Sequence, residues 1–181
     1  MAIRFSVLAS QLVYDREAVL RSISWPVLVW EAPSQPGPLP LGFVNSTVPN
    51  TRLRKPAPVE PLVLELRKRT PGPADMTADI TVGRAPDCDI VLDDATVSRL
   101  HACFRQEPHT GMWHVVDSES HNGTFQAGIL IVPGRPMPLF ERASLRFGGV
   151  EVAFLHAHAF EQYVAARTLA SVRLTSAYSS P

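Results

Sequence analysis

Three groups of residues in this chain have the types and the positions that phosphate binding requires. Gly83-Arg84 follows an apolar run, Ser98-Arg99 precedes another, and Asn122-Gly123 comes after a third. Arginine presents a planar fork of donors that matches phosphate oxygens, serine adds a hydroxyl donor, and asparagine offers a donor and an acceptor to a peptide backbone. If the apolar runs are neighbouring strands, these side chains meet at one edge of a sheet.

Short strands are the elements that would position these groups. From Leu62 onward the chain consists of short runs with alternating or β-branched character, separated by Gly, Pro and Asp. Closely spaced strands of this kind predict an all-β sandwich. Thr110-Gly111, Ala127-Gly128 and Gly148-Gly149 supply turns between them. The predicted strands are 62–67, 79–82, 90–92, 102–106, 113–116, 124–126, 129–132, 144–147 and 151–155.

The chain before the sandwich is predicted to form an arm and a linker. Residues 1–31 are the N-terminal arm, with a short helix that Asp15 caps and that ends near Ser22, followed by a strand-like stretch at 26–30. Trp25 and Trp30 would dock this arm onto the main domain, or alternatively onto a partner. Eight prolines from Pro33 to Pro61 predict a linker or an extended wrap over residues 32–61.

The chain after the sandwich is predicted to be helical. Phe160, Tyr163 and Val164 begin a helical spacing that continues to Leu169. This pattern predicts an amphipathic helix over about 159–172 whose apolar face is buried on its own domain. Residues 62–157 are thus the sandwich, and residues 158–181 the C-terminal helix and tail.

Composition and charge exclude several classes of function. Hydrophobic residues make up 45% of the 181, which is enough for an ordinary core. Residues 60–157 carry thirteen Asp and Glu against nine Lys and Arg, and this mildly acidic body argues against a nucleic-acid-binding surface. No run reaches the roughly 20 apolar residues that span a bilayer, so a cytoplasmic protein without membrane contact is expected. A signal peptide at Phe5–Val13 is the alternative to that location.

Together the motifs resemble the signature of the forkhead-associated (FHA) domains, which are phosphothreonine-peptide readers built as β-sandwiches. The resemblance covers about residues 62–157 and implies a non-enzymatic binding module without a cofactor. The matching positions, in order and in spacing, are Gly83-Arg84, Ser98-x-x-His101 and Asp117-x-x-Ser120-x-Asn122-Gly123-Thr124.

The resemblance also implies a role for each matching residue. Arg84 and Ser98 would bind the phosphate, and Arg99 could add a contact to it. Asn122 would hold the ligand main chain beside the phosphothreonine. The implied partners are a phosphothreonine-containing protein or peptide and an upstream Ser/Thr kinase. Support of the loops, without ligand contact, is implied for four residues: Gly83, His101, Gly123 and Thr124.

Two positions depart from the family pattern. His121 stands where the family has Thr or Ser, and because it is larger it could change the contacts with the ligand as a secondary contact residue. Ala127-Gly128 stands where the family has a second Asn-Gly. This second departure concerns a hairpin turn, where we expect a cost only in local rigidity.

The same region of the sequence also bears on catalytic, metal-binding and scaffold functions. Ser98, His101 and Asp117 could be drafted as a catalytic triad, but Ser98 lacks the G-x-S-x-G elbow. The two cysteines lie in different predicted elements, so we expect reduced, partly buried thiols and no disulfide. The histidines and cysteines lack the paired spacing of structural zinc, so no metal site is predicted. The remaining alternative is an FHA-fold scaffold with an idle pocket that binds partners through the N-terminal arm or the C-terminal helix.

One regulatory hypothesis follows from the linker. Thr47, Thr51 and Thr70 lie in or beside the proline-rich segment. If one of them were phosphorylated, it could occupy the pocket in cis and exclude other ligands, because a tethered ligand competes at high effective concentration.

Overall fold

The computed structural model describes residues 2–14, 25–31, 60–69 and 79–177. Two sheets form in these ranges, one of seven strands and one of five, and their strand pairs are antiparallel except for one parallel pair in the five-stranded sheet. The predicted helix at 15–22, most of the proline-rich linker, and Thr47, Thr51 and Thr70 lie outside the described residues. The strands are Ala2–Arg4 (β1), Val27–Trp30 (β2), Leu62–Glu65 (β3), Ile80–Gly83 (β4), Ile90–Val91 (β5), Ala102–Gln106 (β6), Trp113–Asp117 (β7), Thr124–Gln126 (β8), Ile129–Leu130 (β9), Met137–Leu139 (β10), Arg142–Phe147 (β11) and Val150–Leu155 (β12).

The predicted β-sandwich is confirmed. The seven-stranded sheet has the order β1-β3-β2-β12-β11-β8-β9, and the five-stranded sheet has the order β10-β7-β6-β4-β5. Their facing sides enclose a core in which Phe104 stacks on Phe154 with ring centroids 6.2 Å apart and meets Phe147 edge-on. Aromatic pairs of this geometry add to the hydrophobic stabilisation of the core.

Strand β2 is buried on both faces, and this explains its unbroken apolar sequence. Leu28 packs into the core between the sheets, whereas Val27 and Val29 belong to a second cluster on the outer face. Residues of a strand alternate between the two faces, so a strand covered on both sides needs apolar residues at every position. Because β2 pairs with both β3 and β12, the predicted boundary at residue 62 falls between strands of one sheet.

Two helices cover that outer face. Helix α1 spans Phe5–Tyr14 and helix α2 spans Ala157–Ala177. Leu8 of α1 and Phe160 and Val164 of α2 are buried in the outer cluster, so the predicted C-terminal helix and its buried face are confirmed. Trp30 packs against the core as expected of a docking residue, whereas Trp25 is exposed. Neither helix, within the residues the structure describes, is long and apolar enough to cross a bilayer.

Three elements differ from the sequence predictions. Strand β1 and helix α1 were not predicted, because the stretch from Ala2 to Tyr14 acquires its structure by pairing with β3 and by burying Leu8. Strand β10 was not predicted either, since prolines surround it. Pro138 is tolerated there because β10 is the edge of its sheet, where a missing N–H costs no ladder hydrogen bond.

Candidate functional site

The loops that carry the predicted phosphate-binding groups meet at one end of the five-stranded sheet. Strands β4 and β7 both run antiparallel to β6, so the loops after β4 and β7 lie beside the loop that precedes β6. The backbone N–H of Arg84 donates to the carbonyl of Ser98 at 2.9 Å. The backbone N–H of His121 donates to Ser98 Oγ at 3.0 Å. Ser98 therefore joins the other two loops into one rim.

The two arginines of the rim present their guanidinium groups to solvent. Arg84 is exposed, and its Nε donates to the carbonyl of Val97 at 3.2 Å. That bond uses Nε and leaves the terminal N–H groups for a ligand. Arg99 is also exposed, and its side chain has no hydrogen bond or ion pair with another described residue. Both groups are thus available for an anion.

Ser98 and Asn122 are each bonded in a way that leaves their remaining polar groups for a ligand. Ser98 Oγ accepts from His121 N, so its own proton remains to be donated. Asn122 Nδ2 donates to the carbonyl of Thr96 at 2.8 Å, which leaves Oδ1 and a second N–H of the amide. The Asn122 carboxamide can then accept from one backbone N–H of a ligand and donate to one of its backbone carbonyls. A side chain that holds an extended peptide needs both of these bonds. The side chain of His121 is exposed at the same rim.

His101 lies beneath the rim and connects two of its loops. The backbone N–H of Ser98 donates to His101 Nδ1 at 3.0 Å, and Nε2 lies 3.2 Å from the carbonyl of Gly123. Because Nδ1 is an acceptor, the ring is neutral with its proton on Nε2. His101 is fully buried, and this burial lowers its pKa. The hydrogen bond that it donates to the Gly123 carbonyl and the charge of Asp117 oppose this shift. It is therefore placed to support the loops.

We expect acid to destabilise the fold through His101. The unfolded chain binds a proton on this residue near pH 6.5, whereas the folded chain binds it only at a lower pH. The contribution of His101 is therefore complete above pH 6.5 and is lost as the pH falls through the folded pKa. Urea unfolding at about pH 7.5 and 5.5 should show the loss in the wild type and a smaller one in His101→Gln. An equal loss in both proteins would contradict this assignment.

Asp117 organises the loop after β7 from below. Its carboxylate is buried and accepts from Ser120 N at 3.0 Å, from Ser120 Oγ at 2.6 Å and from Thr124 Oγ1 at 2.5 Å. These bonds hold the loop that carries Asn122. The hydrogen bonds of a catalytic relay do not form among these described residues, since Ser98 Oγ faces His121 N and the imidazole of His101 contacts the backbone instead.

Gly83 permits a close backbone approach at the base of the rim. A Cβ at this position would lie 2.1 Å from the carbonyl oxygen of Arg99 and 2.9 Å from Cys88 Sγ. That carbonyl accepts from Ala85 N at 3.0 Å, so it is held in place. Because Gly83 has no side chain, the end of β4, just before Arg84, can lie against the segment that carries Ser98 and Arg99.

Sequence reasoning missed Thr96 and Gly148, which support the rim from the opposite side. Thr96 Oγ1 donates to Asp94 Oδ1 at 2.6 Å and accepts from Gly149 N at 2.8 Å. The backbone carbonyl of Thr96 accepts the hydrogen bond from Asn122 Nδ2. Gly148 has φ +57°, and a Cβ there would lie 2.3 Å from the Thr96 carbonyl. The Gly-Gly pair was visible as a turn signal, but no feature of the sequence around Thr96 indicated its position beneath Asn122.

The two cysteines of the region are free thiols whose pKa values are raised. Cys88 is a buried free thiol that donates to the carbonyl of Arg99 at 3.2 Å, and burial raises its pKa, as do the charges of Asp87 and Asp89. Cys103 is a half-buried free thiol whose pKa burial raises to about 11. Within the described ranges, no three His, Cys, Asp or Glu side chains are grouped as metal ligands would be.

Comparison with known proteins identifies the family that this arrangement resembles. Residues 80–148 match the sequence model of the FHA domain. The chain is 56% identical over 45 residues to an oxoglutarate dehydrogenase inhibitor of Corynebacterium diphtheriae, a match that covers 25% of this chain and 30% of that protein. It is 58% identical over 45 residues to the glycogen accumulation regulator GarA of Mycolicibacterium smegmatis, covering 25% of this chain and 27% of the relative. The chain thus spans less than a third of the curated relatives it matches.

Solved structures of similar fold were also found. One, from a structural and functional study of phosphothreonine-dependent FHA domain interactions, has a TM-score of 0.44 and 17% identity, and the match covers 72% of this chain and 95% of that one. Another is the FhaA FHA domain complexed with the intracellular domain of Rv3910, with a TM-score of 0.40 and 23% identity over 51% of this chain and 86% of the other.

Proposed function

We propose, from the premise that residues 80–148 of this chain are an FHA domain, that the rim binds phosphothreonine-containing segments of partner proteins. Arg84, Ser98 and Arg99 bind the phosphate in this proposal. Asn122 clamps the ligand main chain beside it, and His121 provides a secondary contact. The chain then acts as a non-enzymatic module in the cytoplasm that recruits or regulates proteins phosphorylated by an upstream Ser/Thr kinase.

The observation that carries the proposal is the hydrogen bonding of Ser98. Its hydroxyl oxygen accepts from His121 N, and its backbone carbonyl accepts from Arg84 N. The hydroxyl proton is therefore left for a ligand, and Arg84 Nε donates to the carbonyl of the preceding residue, Val97, at 3.2 Å. A hydroxyl donor and an arginine fork attached to the same short segment match the tetrahedral oxygens of a phosphate ester.

The energetics of such a rim are sufficient for a regulated interaction. A phosphothreonine carries about −1.5 to −2 charge near neutral pH. Each charge-assisted hydrogen bond contributes roughly 1.5 to 3 kcal/mol. Two or three of them account for much of a micromolar complex, which is worth about 8 kcal/mol. Phosphorylation of the ligand should therefore control whether it binds.

The relatives support a regulatory role of this kind. One is named for inhibiting oxoglutarate dehydrogenase and another for regulating glycogen accumulation. Both names describe action on another protein or on a pathway, which is the behaviour that we propose for this chain.

A titration with a phosphothreonine peptide library and its unphosphorylated counterpart tests the proposal. We expect at least about tenfold tighter binding of the phosphorylated members, since the phosphate supplies most of the contact energy. Fluorescence anisotropy or calorimetry measures the difference. Equal, weak binding of both sets would reject the proposal and would favour the scaffold with an idle pocket.

A further inference from the structure

We propose that a surface cavity beside the rim binds a lysine or arginine side chain of the phosphothreonine ligand, and that Asp87 is the carboxylate that pairs with it. This inference rests on the proposed function, because the ligand is the same peptide. The cavity has a volume of about 460 Å³ and is lined by Thr81, Ala85, Asp87, Cys88, Arg99 and Leu100.

The cavity adjoins the proposed phosphate contacts and shares Arg99 with them. Arg84 N donates to the Ser98 carbonyl at 2.9 Å, and the next pair along both segments is Ala85 N to the Arg99 carbonyl at 3.0 Å. Ala85 and Arg99 both line the cavity. An extended peptide advances about 3.3 to 3.6 Å per residue, so a ligand anchored by its phosphate at the first pair has a side chain near the cavity within a few residues.

The uncharged polar side chains that line the cavity are already hydrogen-bonded. Cys88 Sγ donates to the Arg99 carbonyl, and Thr81 Oγ1 donates to Asp89 Oδ2 at 2.9 Å. Ala85 is buried, and Leu100 is about half exposed at 49%. These four lining residues therefore suit the aliphatic stem of a long side chain.

The charges around the cavity select a cation once the phosphate is bound. Asp87 and Arg99 are both exposed, and neither side chain has a hydrogen bond or ion pair with another residue in the described ranges. Nearby Asp89 differs, since its carboxylate pairs with Lys68 at 3.0 Å. When Arg99 contacts the phosphate, the charge left among the residues that line the cavity is the carboxylate of Asp87. Arg69 is not one of the lining residues, and its Nη1 donates to the Pro86 carbonyl at 2.6 Å. A lysine or arginine can lay its stem on Leu100 and bring its charged end to that carboxylate.

Binding of phosphothreonine peptides with a single arginine tests this pairing. A series of peptides places the arginine at each position from three residues before the phosphothreonine to three residues after it. Each peptide is compared with one that has glutamine at the same position. We expect arginine to strengthen binding to the wild-type chain about twofold to fivefold at one or more places.

Variants of Asp87 identify the group responsible. We expect Asp87→Asn to abolish the preference for arginine and Asp87→Arg to favour a peptide with glutamate at the same place. Glu141→Gln is the matched control, because Glu141 is exposed and lies just before β11, whereas the rim meets the other end of that strand at Gly148. This control should keep the wild-type preference.

The outcomes separate the inference from the function on which it rests. Phosphate-dependent binding without any preference for arginine over glutamine would overturn the inference and leave the proposed function standing. A preference that persists in Asp87→Asn would also overturn it. If phosphorylated and unphosphorylated peptides bind equally to the wild type, the proposed function fails and the inference fails with it.

Discussion

Replacing Arg84 with alanine is expected to weaken phosphothreonine-peptide binding at least tenfold and to leave the fold almost unchanged. In this exposed guanidinium, Nε donates to the Val97 carbonyl, and the terminal N–H groups do not take part in that bond. Their loss removes charge-assisted hydrogen bonds of roughly 1.5 to 3 kcal/mol each, and tenfold corresponds to about 1.4 kcal/mol. Peptide titration gives the affinity, and urea unfolding should show a loss of about 1 kcal/mol or less.

Two further variants make the result specific. Arg84→Lys keeps the charge but loses the planar fork, so its affinity should lie between those of the wild type and the alanine variant. Arg142→Ala removes an exposed arginine that bonds Gln162 at the far end of β11, and it should bind as the wild type does. Unchanged affinity in Arg84→Ala would remove Arg84 from the phosphate site.

Replacing Gly83 with alanine is expected to lower the stability of the fold strongly. The added methyl group would lie 2.1 Å from the backbone oxygen of Arg99, which is held by Ala85 N and Cys88 Sγ. Relief of this clash requires β4 to separate from the segment that carries Ser98. We expect the free energy of unfolding to fall by about 3 kcal/mol, and phosphopeptide affinity to fall because the rim opens. Chemical denaturation measures the first effect and peptide titration the second.

Gly128→Ala is the control, because alanine there would have an unfavourable positive φ but no steric clash. Gly128 has φ +82° in the β8–β9 turn, and nothing lies within 4 Å of an added Cβ. Its replacement should cost about 1 to 2 kcal/mol, the penalty of the left-handed conformation alone. A Gly83→Ala variant as stable as Gly128→Ala would show that the close approach at Gly83 can be relieved cheaply.

Much of the sandwich could be predicted because its strands carry local signals. The runs at Ala102–Gln106 and Thr124–Gln126 were predicted with the bounds that they have in the structure. The turn at Ala127-Gly128 was predicted as a hairpin, and the structure joins β8 to β9 there with φ +49° at Ala127. Alternation of apolar residues and turn chemistry are both properties of short stretches, so they can be recognised without knowing what the strand contacts.

The sequence could also locate the groups of the rim along the chain. Arg84, Ser98 and Asn122 were singled out because each stands where a strand gives way to a loop. The structure brings their loops together, and their role in binding stays a prediction. What could not be read from local signals is the hydrogen bonding beneath them. Thr96 lies 26 residues from Asn122 in sequence and contacts it through a backbone carbonyl, which any residue type would supply.

The sequence alone therefore determined the sandwich class, most of its strands, the C-terminal helix and the positions of the candidate binding residues, since each of these depends on residue types a few positions apart. The tertiary structure alone decided that β2 is an interior strand, that Phe5–Tyr14 is a helix and that Met137–Leu139 is an edge strand. It also decided that the β11–β12 turn contacts Thr96. These features depend on the partner that each segment packs against, and pairing between distant segments overrides the weak local preference of a short stretch.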